Sequence, residues 1–89
     1  MAQTAAVELA ERRIRVNVVS PGPILTPIYQ QAGLSPEKTQ ERLDRMSATV
    51  PLARLGKPEE VAKLITYLAG SDAAFITGSE FTIDGGQSI

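Results

Sequence analysis

The chain has 89 residues, with no cysteine and no histidine. That excludes a disulfide-stapled fold, a thiolate or imidazole metal site, a Cys nucleophile and a Ser-His-Asp triad. Nine Lys+Arg oppose ten Asp+Glu, a net charge of -1, which argues against a nucleic-acid partner because phosphate binding needs a basic excess or stripe.

No apolar run approaches the roughly 20 residues of a membrane span. Residues 1–8 carry neither the basic start nor the apolar stretch of a signal peptide. We therefore expect no membrane partner and a cytoplasmic location. Two Tyr, two Phe and no Trp leave little large-area packing. A chain this short buries only ~60–65% of its unfolded surface, so a core is marginal.

Residues 2–11 are rich in Ala, Leu and Glu and predict a helix. Ala2, Ala6 and Leu9 share one face, and Arg12 and Arg13 suit its carbonyl end. No N-cap residue precedes Ala2, as expected of a helix that began earlier. Residues 14–19 are β-branched at four of six positions and predict a strand, with Ile14, Val16 and Val18 on one face. Ser20-Pro21-Gly22-Pro23 ends it, since proline donates no ladder hydrogen bond. Within it, Asn17 is expected to bond neighbouring backbone rather than a ligand.

Residues 24–33 are ambiguous; Pro27 could open a short helix ending at Gly33. Ser35-Pro36-Glu37 is a clear helix start, with Ser as N-cap and Pro at the first helical position. That helix runs to about Ser47, with Leu43, Met46 and Val50 on a packing stripe. Pro58 opens the best-patterned helix, with Val61, Leu64, Ile65 and Leu68 on one face and Glu59 and Glu60 at its positive end. Gly70 is expected to cap it in a left-handed conformation. Ser71-Asp72 should N-cap a single turn over residues 73–75. Residues 80–83 alternate as a strand, stopped by Asp84-Gly85-Gly86. Asp72, Asp84, Lys57 and Lys63 show no spacing that makes an acid/base pair, and we read them as solvated charge.

Two strands joined by helices predict an α/β fold: one parallel βαβ unit with a right-handed crossover. Two strands make a poor sheet, and parallel sheets need helices on both faces. The pattern is that of the end of a doubly wound, Rossmann-like sheet.

These residues carry a family resemblance. Residues 15–27, RVNVVSPGPILTP, resemble the segment of short-chain dehydrogenases/reductases that follows the sixth strand. Residues 51–62, PLARLGKPEEVA, resemble the start of their last long helix. Ile76-Thr77-Gly78 and Asp84-Gly85-Gly86 resemble the loops around their last strand. The resemblance implies residues 1–89 as part of a dinucleotide-binding domain, the C-terminal third. It implies NAD or NADP as cofactor and a small carbonyl or alcohol as substrate.

The family's TGxxxGxG turn, which cradles pyrophosphate at a helix N-terminus, is absent, as is its YxxxK pair: Gly33 and Ser71 stand four residues after Tyr29 and Tyr67. No catalytic residue is therefore assigned, and the isolated chain is expected to be inactive. The resemblance gives Pro21, Gly22, Ile24 and Thr26 as cofactor-binding residues. Ile24 N–H would meet the nicotinamide carboxamide, and Thr26 would also lie near the phosphates. Residues 29–50 fall where the family has its substrate-covering loop. Many relatives carry Gly at the position of Arg13, where a left-handed backbone would burden another residue. Partners expected are a homo-oligomer or a missing N-terminal part. The alternative is a non-catalytic interaction or oligomerisation module.

Overall fold

A computed structural model describes residues 2–26 and 33–89; the helix expected from Pro27 lies outside them, as does Tyr29. In order come α1 (Ala2–Leu9), β1 (Val18–Pro21), α2 (Pro36–Ala48), α3 (Pro58–Ala69) and β2 (Glu80–Ile83), with 3₁₀ turns at Ala10–Arg12 and Ser71–Ala73. The strands pair in parallel, Val18 opposite Glu80 through Pro21 opposite Ile83. This is the expected βαβ arrangement.

The α1 end shows why chain chemistry matters locally. Arg13 adopts φ 58° and ψ 33°, the left-handed region. Its N–H donates to the Ala10 carbonyl (2.9 Å), and the Ile14 N–H donates to the Leu9 carbonyl (3.2 Å). This pair of bonds closes a helix in a Schellman motif, whose left-handed position favours glycine. Arg13→Gly should therefore raise stability by about 1 kcal/mol, read as a higher urea midpoint at unchanged slope.

β1 starts later than expected. Residues 14–17 carry the right β-branched pattern, but side chains meet much of their backbone. Val16 N–H donates to Thr77 Oγ1 (3.1 Å), and the Asn17 side chain occupies the facing loop. One backbone bond precedes the strand, Gly78 N–H to the Val16 carbonyl (2.7 Å); the paired strand itself begins where Val18 N–H donates to the Ser79 carbonyl (2.9 Å). It also runs past the expected stop: Gly22 N–H donates to the Ile83 carbonyl (3.0 Å), so Pro21 is the last strand residue rather than the breaker.

α2 begins as expected, with Ser35 Oγ accepting the Lys38 N–H (3.2 Å). α3 also starts at its proline, but its end differs. Gly70 is extended (φ -88°, ψ 172°), not left-handed, and its carbonyl accepts from Arg15 (3.3 Å). The turn after it is Ser71–Ala73, without a side-chain N-cap bond, instead of a Ser71-Asp72 cap over residues 73–75.

Among the described residues only Ala6, Val50, Leu68 and Ala73 are buried hydrophobics. The α3 stripe is incompletely covered, with Ile65 50% exposed, and Phe75 is wholly in solvent. The radius of gyration is 16.7 Å, whereas a compact chain of this length needs about 12 Å. Both strands are sheet edges, because the sheet has two strands. No helix among the described residues is long and apolar enough to cross a membrane.

Candidate functional site

A cavity of about 110 Å³ sits at the carboxyl ends of the two strands, where ligands bind in open α/β sheets. Pro23 and Ile24, beyond β1, form one wall; Ile83, Asp84 and Gly85, at and beyond β2, form another. Leu52, Arg54, Gly56 and Glu60 close it from the segment leading into α3.

Backbone bonds fix that third wall. Gly56 N–H donates to the Pro23 carbonyl (3.0 Å), and Leu25 N–H donates to the Gly56 carbonyl (2.9 Å). Ile24 thus bridges Gly56 in parallel. In such a bridge the central residue turns its own N–H and C=O to the other side. Among the described residues no acceptor meets the Ile24 N–H. The Gly56 bridge therefore leaves the Ile24 N–H turned away from Gly56.

The other three expected residues have different surroundings. Gly22 is a junction: a Cβ there would lie 2.5 Å from Asp84 Cβ. Pro21 ends β1, and half-buried Thr26 does not line the cavity. Leu43, with Leu34 and Pro36, lines a separate shallow groove on α2.

Sequence reasoning missed the Arg54–Glu60 pair. Arg54 Nη1 and Nη2 donate to the two Glu60 carboxylate oxygens (2.7 and 3.0 Å), a bidentate fork. Glu60 Oε1 also accepts the Lys57 N–H at the start of α3 (2.9 Å). The Arg54 hydrogen bonds, then the Lys57 N–H, lower the Glu60 carboxyl from 4.5 to about 2. A depressed carboxylate contributes stability above its unfolded value and loses it as pH falls through the folded one. Unfolding stability should therefore fall between pH 4.5 and about 2, with part of that slope removed by Glu60→Gln. Thermal melts across that range test it; an unchanged slope in the variant would exclude the pair as a cause.

Asp84 is fixed rather than merely solvated. Its Oδ1 accepts the Gly86 N–H (2.9 Å) and its Oδ2 the Ser88 N–H (3.0 Å). Hydrogen bonding from Ser88, then from the Gly86 N–H, holds its carboxyl below the usual range. Gly85 and Gly86 have φ of 64° and 94° and shape a closing turn. Among the described residues, the Ile24 N–H has no acceptor, and Ile24 lines the cavity at the strand ends. The TGxxxGxG turn is absent from these 89 residues.

The enoyl-(acyl carrier protein) reductase family profile matches residues 1–88. The 3-oxoacyl-[acyl-carrier-protein] reductase FabG of Thermotoga maritima is 46% identical over 89 residues, covering 100% of this chain and 34% of that protein. A short chain dehydrogenase family protein from Francisella tularensis superposes with TM-score 0.84 at 32% identity, over 99% of this chain and 38% of that one. YwfH, an NADPH-dependent reductase of bacilysin biosynthesis, gives 0.81 at 33% identity, over 97% and 34%. The chain spans about a third of the length of the relatives it matches.

Proposed function

The chain belongs to the short-chain dehydrogenase/reductase family, and on that premise we propose that it forms the nicotinamide-side wall of an NAD(P)(H)-dependent oxidoreductase. The bound cofactor would supply hydride to, or take it from, a carbonyl or alcohol carbon. The observation that carries this reading is the Ile24 N–H, which has no acceptor among the described residues, on a residue that lines the strand-end cavity.

Each residue then has a task. Ile24 N–H offers one hydrogen bond to an acceptor such as a carboxamide oxygen, which fixes the turn of a ring about its bond to the sugar. Gly22 lets the bend approach Asp84 closely. The Gly56 bridge and the Arg54–Glu60 fork hold the opposing wall, so the donor is presented without reorganisation. Thr26 offers a hydroxyl one step further along the same loop. No Tyr–Lys proton pair is present, so the chain alone should not turn over nicotinamide. The 46% identity to a 3-oxoacyl-[acyl-carrier-protein] reductase makes that substrate class the first to try.

The test is a hybrid in which this chain replaces the matching third of the Thermotoga maritima reductase. NADPH oxidation should appear in the hybrid and be absent from the 89-residue chain by itself. Ile24→Pro, which deletes the N–H, should raise the hybrid's cofactor KM by roughly tenfold, about one hydrogen bond. Turnover by the isolated chain, or an unchanged KM in Ile24→Pro, would defeat the proposal.

A further inference from the structure

Asp84 precedes Gly85, and a glycine nitrogen has no neighbouring Cβ to shield it from the carboxyl carbon of the residue before. We propose that Asp84 is a site of isoaspartate formation, and that the hydrogen-bond fork from Gly86 and Ser88 sets its rate.

In the step, the Gly85 nitrogen attacks Asp84 Cγ. A C–N bond forms and a carboxyl oxygen departs as water, carrying the carboxyl proton and the amide proton. The product is a five-membered succinimide. Water then adds at either ring carbonyl and breaks the C–N bond there. Attack at the main-chain carbonyl leaves the backbone running through Cβ and Cγ. One water is lost and one gained, so mass is unchanged and no oxidant or reductant takes part.

The structure restrains this step. The fork draws both carboxylate oxygens forward to the N–H groups of residues 86 and 88, at 2.9 and 3.0 Å. It also favours the ionised carboxylate, from which an oxygen departs poorly. Opening the C-terminal turn releases both restraints at once. Asp44 and Asp72 are followed by Arg45 and Ala73, whose Cβ atoms hinder the same attack, so they serve as internal controls.

The consequence would fall on the cavity wall. Gly85 O accepts the Leu52 N–H (3.2 Å), and Gln87 Nε2 donates to Thr49 Oγ1 (2.9 Å). An added backbone methylene at residue 84 would displace these ties to the end of α2. It would also disturb the close approach of Gly22 to Asp84. The inference stands on this turn alone and does not depend on the cofactor reading.

The experiment ages the 89-residue chain, a free peptide of residues 82–89 and the Ser88→Pro variant at neutral pH. Isoaspartate is counted by methyl transfer from S-adenosylmethionine with an isoaspartyl methyltransferase and located by electron-transfer fragmentation. We expect isoaspartate at residue 84 and not at 44 or 72. The peptide and Ser88→Pro should react roughly tenfold faster than the chain, the factor for a charge-assisted hydrogen bond. Equal rates in chain and peptide, or no isoaspartate at residue 84 in any of the three, would overturn the proposal.

Discussion

Gly22→Ala should force apart the carboxyl ends of β1 and β2 and lower the stability of the hybrid enzyme by about 1–3 kcal/mol, the usual range for overpacking. A Cβ at residue 22 would lie 2.5 Å from Asp84 Cβ and 2.9 Å from Asp84 Cα. The second atom belongs to the backbone, so no rotamer change relieves the contact. Asp84 cannot swing away freely either, because its carboxylate is tied to the N–H groups of Gly86 and Ser88. The Gly22 N–H bond to the Ile83 carbonyl (3.0 Å) is the first expected to lengthen. Ile24 lies two residues on, so the cofactor KM should rise with the loss of stability. Gly56→Ala is the matched comparison. There the added Cβ would be crowded by Ile24 Cδ1, at 2.7 Å, the far end of a flexible side chain, while the Pro23 carbonyl oxygen stays at an ordinary 3.7 Å. Gly22→Ala should therefore lower the melting temperature more. If Gly56→Ala proves as damaging, backbone crowding is not the reason for glycine at residue 22.

The same two glycines show what could and could not be read from the chain. The strand-ending bend was legible because two prolines flank Gly22. Its partner was not, since nothing in local spacing links residue 22 to residue 84. The parallel pairing was legible from two apolar runs with helices between them. Where the ladder starts was not, because it depends on Asn17 and Thr77 taking over backbone partners ahead of Val18. Gly70 misled because residue type alone suggested a left-handed cap. The chain instead passes straight into Ser71–Ala73, with Arg15 bonding the Gly70 carbonyl. Arg54 and Glu60 lie on either side of a helix start, so no helical periodicity connects them. Arg13 was readable because a Schellman closure has a fixed stereochemistry. The α3 stripe was legible as a face needing a cover, and Ile65 remains half exposed.

Asn17→Leu tests the joint between the end of α3 and β2, and should cost about 2 kcal/mol. The substitution keeps the side chain's size and removes its polar atoms. In the native chain Asn17 Nδ2 donates to the Ile76 carbonyl (3.0 Å), while Oδ1 accepts the Ser79 N–H (3.1 Å). One side chain thus satisfies a donor and an acceptor of the loop that delivers β2 to its partner. Leucine leaves Ser79 N–H without this acceptor, and a part-buried polar group without a partner bears its desolvation cost. Ile76 O retains Arg15 Nη1 at 3.3 Å, which limits the loss on that side. The next bonds along, Gly78 N–H to Val16 O (2.7 Å) and Val18 N–H to Ser79 O (2.9 Å), share the same loop and should loosen together. Hydrogen exchange separates this account from a general loss of packing. The amides of Gly78, Ser79 and Val18 should lose protection in the variant, while those within α2 keep theirs. Unchanged protection at Ser79 would mean that Asn17 does not hold the loop, and that the β-branched run alone sets the register.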